Sequence, residues 1–198
     1  MKDTYFTTES IREKSKELID SFRYPDQRRF VYLPGDSALL VIDMQKYFVD
    51  EKSHAFIPSA AAIIPGLLRL IEKYRERSRP VFFTRHLNDS PETGVMDKWW
   101  GELIKSDSPL SVIDERFPAK DDEVIEKAQY DAFHNTDLEG RLRNHNVSQV
   151  VVCGVMTHLC CESTARAAFM RGYEVFFPVV GTATYYDDFH RATLLNLC

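Results

Sequence analysis

Apolar positions along the chain alternate between two patterns. In the polar opening segment Ile11, Leu18, Ile19 and Phe22 recur at helical spacing, which predicts an amphipathic helix lying on the main body, ended by Tyr24-Pro25-Asp26. Ser37-Ala38-Leu39-Leu40-Val41-Ile42 is then a continuous apolar run closed by Asp43, the pattern of a strand buried on both faces. A helical stretch follows over about 59–77, with Ile63, Ile64, Leu67, Leu68, Leu70, Ile71 and Tyr74 as its stripe and Pro65 in an early turn.

Further strands are predicted at Pro80-Val81-Phe82-Phe83-Thr84, at Glu123-Val124-Ile125-Glu126-Lys127, at Gln149-Val150-Val151-Val152-Cys153-Gly154 and from Glu174-Val175-Phe176-Phe177. Helices are predicted after Thr136-Asp137, from about Cys160 to Arg171 with Gly172 closing it, and from Asp187-Asp188 onward. Between 85 and 121 five Pro and Gly residues and the Trp99-Trp100 pair mark an irregular, site-forming excursion. Strands alternating with helices predict an α/β fold of three αβα layers around a mostly parallel, doubly wound sheet. Ligands in such folds bind at the carboxyl ends of the strands. The chain reads as one domain over 1–198, with 1–30 as an N-terminal helical extension.

Composition changes this picture little. With 198 residues, 44% hydrophobic and 28% charged, the chain is globular and large enough to bury a full core. The 25 basic and 30 acidic residues leave a net charge of −5, which argues against a nucleic-acid or anionic-membrane partner. The opening MKDTYFTTESIREKSKEL is too polar for a secretory leader, so a cytoplasmic location is expected. Cys153, Cys160, Cys161 and Cys198 form neither a CxxC pair nor a zinc-like spacing with histidine, so disulfides and structural zinc are not expected.

The rule for strand ends selects Asp43, Lys127 and Cys160. Cys160 falls where a buried strand turns into a helix, and unpaired N–H groups of a first helical turn favour a thiolate and hold an oxyanion. Free cysteine is also an ordinary small buried residue. Asp43 is costly at the end of an apolar strand unless hydrogen-bonded or functional, and it equally suits a cap for the next turn. Lys127 alone reads as a snorkelling side chain; beside Asp43 and Cys160 it would stabilise both anions.

Asp43-Met44-Gln45, Lys127 with Tyr130-Asp131-Ala132-Phe133, and GVMTHLCCESTARAAF over 154–169 resemble the isochorismatase-like cysteine hydrolase superfamily. The similarity runs from about Ser37 to Leu197. It implies an Asp43, Lys127, Cys160 triad, a cis peptide at Val155–Met156, and an oxyanion hole from the Met156 and Cys160 N–H groups. It also implies a homodimer or homotetramer. Phe48, His86, Trp99 and Tyr130 are candidate substrate-binding walls. The Asp-x-His metal motif of nicotinamidases is not reproduced by Asp50-Glu51-Lys52-Ser53-His54, so no metal and no cofactor are expected. Val180 stands where the family often has Asp, which questions polar support at that strand end.

Two branches of the superfamily then compete. A cysteine nucleophile implies a hydrolase of a small amide or ureido substrate, cleaving C–N through a thioester. The alternative is isochorismatase, vinyl-ether hydrolysis without that nucleophile, and a catalytically idle binding module is a third reading.

Overall fold

A computed structural model describes residues 2–22, 30–89 and 91–197. The predicted stop at Tyr24-Pro25-Asp26, and Cys198, lie outside the described residues. Six strands form one parallel sheet: β1 (Ser37–Ile42), β2 (Val81–His86), β3 (Val124–Lys127), β4 (Gln149–Val155), β5 (Glu174–Phe176) and β6 (Thr182–Ala183). The order is β3-β2-β1-β4-β5, with β6 also pairing β4. Because β2 and β4 flank β1 on opposite sides, the connections reverse direction between β1 and β4, the switch point where such sheets open a crevice.

Both faces of the sheet are covered. Leu39 and Val41 of β1 join a core that includes Ile63, Leu67 and Ile71 of α3 (Ala60–Glu76), and Ala38, Leu40 and Ile42 join one that includes Leu138 and Leu142 of α5 (Leu138–Asn144) and Ala165 and Ala168 of α6 (Glu162–Met170). The strand is thus apolar throughout, because both of its faces meet helices. The N-terminal helix α1 is Ile11–Ser21. Its buried positions are narrower than the predicted stripe: Leu18 and Phe22 turn inward, four residues apart, whereas Ile19 is half exposed.

Gly172 ends α6 as expected. It takes a φ of +88°, with Tyr173 N–H on the Ala168 carbonyl at 3.1 Å and Gly172 N–H on the Phe169 carbonyl at 3.0 Å, the paired bonds of a Schellman stop. The strand predicted over Glu174-Val175-Phe176-Phe177 stops at Phe176, just ahead of Pro178. β5 pairs the first half of β4, the chain turns through a Gly181 N–H bond to the Pro178 carbonyl, and β6 resumes pairing at Gly154 and Val155.

Gly154 is required by backbone proximity. Its φ is +117°, and a Cβ there would lie 2.1 Å from the Ile42 carbonyl oxygen, a separation no side chain can occupy. The absence of a side chain lets β4 approach β1 where the crevice begins. Among the described residues no helix is long and apolar enough to cross a membrane.

Candidate active site

The carboxyl ends of β1 to β4 converge on one buried cluster. Asp43 follows β1 with a φ of +49°. Its N–H donates to Thr84 Oγ1 at 2.9 Å, and Thr84 Oγ1 donates back to Asp43 Oδ1 at 2.5 Å. One threonine on β2 therefore fixes both the backbone and the carboxylate of Asp43. Two residues on, the Gln45 amide joins the ends of β1 and β2: His86 N–H donates to Oε1 at 2.8 Å, and Nε2 donates to the His86 and Ser111 carbonyls at 3.1 and 2.7 Å.

Lys127, the last residue of β3, stands at the centre. Its Nζ lies 2.8 Å from Asp43 Oδ2, 3.4 Å from Cys160 Sγ and 3.2 Å from His86 Nδ1, and donates to the Gln129 carbonyl at 3.0 Å. The contact with Oδ2 is a fully buried ion pair. Asp43 and Lys127 side chains are wholly removed from solvent.

Charge in this cluster is set by pairing against burial. Burial is the largest influence and opposes ionisation of Asp43, but the charges of Lys127 and His86 and the hydrogen bonds from Cys160 and Lys127 together hold the carboxyl below its usual range. Burial likewise works against the Lys127 charge, and Asp43 with Cys160 raises it above the ordinary value. Cys160 behaves otherwise. Burial first and the Asp43 charge second push its thiol well up, with Lys127 only partly compensating. Burial beside Asp43 thus works against the thiolate that a helix start favours. Cys160 lies in a π-helical turn, Thr157–Cys161, ahead of α6, in which Cys161 N–H reaches back to the Met156 carbonyl at 3.2 Å. The carboxylate, not the helix, carries the resting negative charge.

Asp43, His86 and Cys160 present ligand atoms within 4.8 Å of one another, a set a metal ion could use by residue type. The Lys127 ammonium, 2.8 to 3.4 Å from all three side chains, occupies the place a cation would take. The cluster does not fit a metal.

The peptide Val155–Met156 is cis. Behind it Thr157 Oγ1 lies 2.9 Å from Thr182 Oγ1 and 3.1 Å from His190 Nδ1, and His190 Nε2 is 2.9 Å from the Val179 carbonyl. This buried chain supplies polar support near the strand end where Val180 itself packs against the apolar core.

A pocket of about 290 Å³ opens on Cys160, at the small end of ligand cavities. Phe48, His86, Tyr130 and Met156 line it. Trp99 does not. It sits on α4 (Met96–Trp100) with 76% of its surface exposed, whereas Trp100, one turn after buried Met96, faces the pocket and donates from Nε1 to Tyr130 Oη at 2.8 Å. Adjacent helical residues point about 100° apart, so only one of the pair can turn inward. Sequence reasoning also missed Gln45 and the role of Thr84. For Thr84 the signal was a polar residue directly after the apolar run Val81-Phe82-Phe83 of β2.

His86 and His190 make the fold acid-sensitive. Burial, joined at His86 by the Lys127 charge, lowers each ring to about 4. The unfolded chain binds these protons near pH 6.5, so it holds more protons between about 4 and 6.5 and stability falls as pH drops through that window. The slope is up to about 1.4 kcal/mol per pH unit for each ring. Urea midpoints measured from pH 7 to pH 5 should decline accordingly, and His190→Gln should flatten the decline. An unchanged slope in that variant would contradict the assignment.

Comparison with known proteins agrees with this architecture. The sequence profile of the isochorismatase domain matches residues 37–198. The chain belongs to the isochorismatase family. It is 42% identical over 166 residues to nicotinamidase 3 of Arabidopsis thaliana, covering 81% of this chain and 80% of that protein. A cysteine hydrolase from Pseudomonas syringae pv. phaseolicola superposes with a TM-score of 0.79 at 28% identity, covering 85% of this chain and 87% of that one. N-carbamoylsarcosine amidase from Thermoplasma acidophilum superposes with a TM-score of 0.69 at 28% identity, covering 82% and 92%. As a member of this family of hydrolases, the chain is a hydrolase.

Proposed function

We propose that the protein cleaves the C–N bond of a small amide or ureido compound through a thioester on Cys160. The observation that carries this reading is the contact of one ammonium, Lys127 Nζ, with both Asp43 and the Cys160 sulfur at the floor of a pocket. The names of two similar proteins, a nicotinamidase and an N-carbamoylsarcosine amidase, support the substrate class.

In the proposed reaction Cys160 Sγ attacks the carbonyl carbon while its proton passes to Asp43. The carbonyl electron pair moves to oxygen, which the Met156 and Cys160 N–H groups receive. The tetrahedral species collapses, the C–N bond breaks, and the amine leaves with the proton from Asp43. Water then attacks the thioester, giving its proton to Asp43; the acid departs and the sulfur regains a proton. Lys127 stays an ammonium throughout, keeping Asp43 ionised whenever it must act as base.

Intact-mass spectrometry during turnover of small amides and ureido compounds, with hydroxylamine as a trap, tests this. The expected results are an acyl adduct on Cys160 and a hydroxamate product. Turnover with neither overturns the covalent route.

A further inference from the structure

The outer wall of the pocket is built by a segment outside the 37–198 family match. Lys2 lines the same cavity as Cys160. Residues 2–7 are stitched to two of its borders. On one side Tyr5 and Phe6 N–H groups donate to Ser59 Oγ at 2.9 and 3.1 Å. On the other, Asp3 N–H donates to the Tyr185 carbonyl at 2.8 Å, Asp187 N–H to Asp3 Oδ2 at 3.2 Å, and Thr184 N–H to Tyr5 Oη at 2.9 Å.

These bonds fix where the Lys2 ammonium sits. Nζ donates to the His54 carbonyl at 2.7 Å and the Phe56 carbonyl at 2.8 Å, and lies 4.0 Å from the centre of the Tyr185 ring. Two of its three N–H bonds are spent on neutral oxygens, which orient the charge without cancelling it. Among the described residues no carboxylate forms an ion pair with Lys2; Glu102, the acid on this pocket, lies 3.5 Å from His54 Nε2. The wall therefore carries a fixed ammonium that enters no ion pair among the described residues.

We infer that Lys2 is a specificity-determining residue that selects substrates bearing an anionic group, most simply a carboxylate, on the acyl portion away from the scissile carbonyl. A carboxylate there completes the charge-assisted hydrogen bonding that the carbonyls leave unfinished. The inference rests on the amide-hydrolase reading for the identity of the bond cleaved, but not for the preference in binding.

The experiment measures binding rather than turnover. Calorimetry on the Cys160→Ala protein compares benzamide with 3- and 4-carbamoylbenzoate, and repeats the comparison with Lys2→Met and Lys2→Arg added. The better carboxylated ligand should bind about tenfold more tightly than benzamide, with the ratio shrinking as salt is raised. Lys2→Met should bring the ratio close to one, and Lys2→Arg should keep most of it. A ratio at or below one in the parent, or one that survives Lys2→Met, overturns the inference. A residue serving only to pin the 54–56 loop would weaken both ligands together and leave the ratio intact. Selective binding without hydrolysis by the wild type would sink the reaction but not the selection, and hydrolysis without selectivity the reverse.

Discussion

Cys160→Ala should lower amide hydrolysis by about four orders of magnitude or more, since the bond-forming atom itself is removed. The variant should fold normally. Cys160 belongs to the buried core cluster that includes Ala165 and Ala168, and removing one sulfur costs about 1 kcal/mol of packing, in the range of a deleted methyl group. The result bears on the choice between the two branches of the family. Hydrolysis of a vinyl ether in isochorismate needs a proton donor rather than a thiol, so that activity would survive Cys160→Ala and disappear in Asp43→Asn. Parallel assays of an amide and of isochorismate, on both variants, decide it. Loss of amide turnover in both variants, with isochorismate inert even to the wild type, is the expected pattern. Isochorismate turnover retained by Cys160→Ala would replace the proposed function.

Much of this site was legible because its residues break local patterns. Asp43 closes an apolar strand, and Lys127 ends a strand at a sheet edge where ligands bind; in the fold each is buried on the same cluster. β1 was visible to the residue, because its apolar run has the length of a strand and is too short for a helix, and Asp43 marks its end. What remained hidden depends on contacts between distant segments. Nothing in the spacing of Trp99 and Trp100 says which one faces the pocket; buried Met96 decides it only once α4 is formed. Lys2 reaches His54 and Phe56 across more than fifty residues, a juxtaposition that no local signal encodes. The balance of influences on the Cys160 thiol is hidden for a related reason. Proximity to a helix start is a sequence property, whereas full burial beside an existing carboxylate is a tertiary one, and the second outweighs the first.

Lys127→Met should show how far this cluster depends on pairing. Asp43 and Lys127 are both fully enclosed, so deleting the ammonium leaves a buried carboxylate without its counter-charge, a change that costs about 3–5 kcal/mol. Urea unfolding should show a lower midpoint with an unaltered m-value, and the melting temperature should fall by about 10 °C for a chain of this size. The pH dependence should also change sign. In the wild type the folded carboxyl lies below its ordinary value, so its contribution is complete above about pH 4 and lost as pH falls through the folded value. Without Lys127, burial is the dominant influence and the folded value rises above the unfolded one. The folded state then takes up the extra proton, and the deficit caused by Asp43 shrinks as pH falls from 7 toward 5, against the histidine trend described above. Adding Asp43→Asn removes the stranded charge, so the double variant should recover more than half of the lost stability while staying inactive. A Lys127→Met protein as stable as the wild type, or a double variant no better than the single one, would mean that this ion pair does not hold the cluster together.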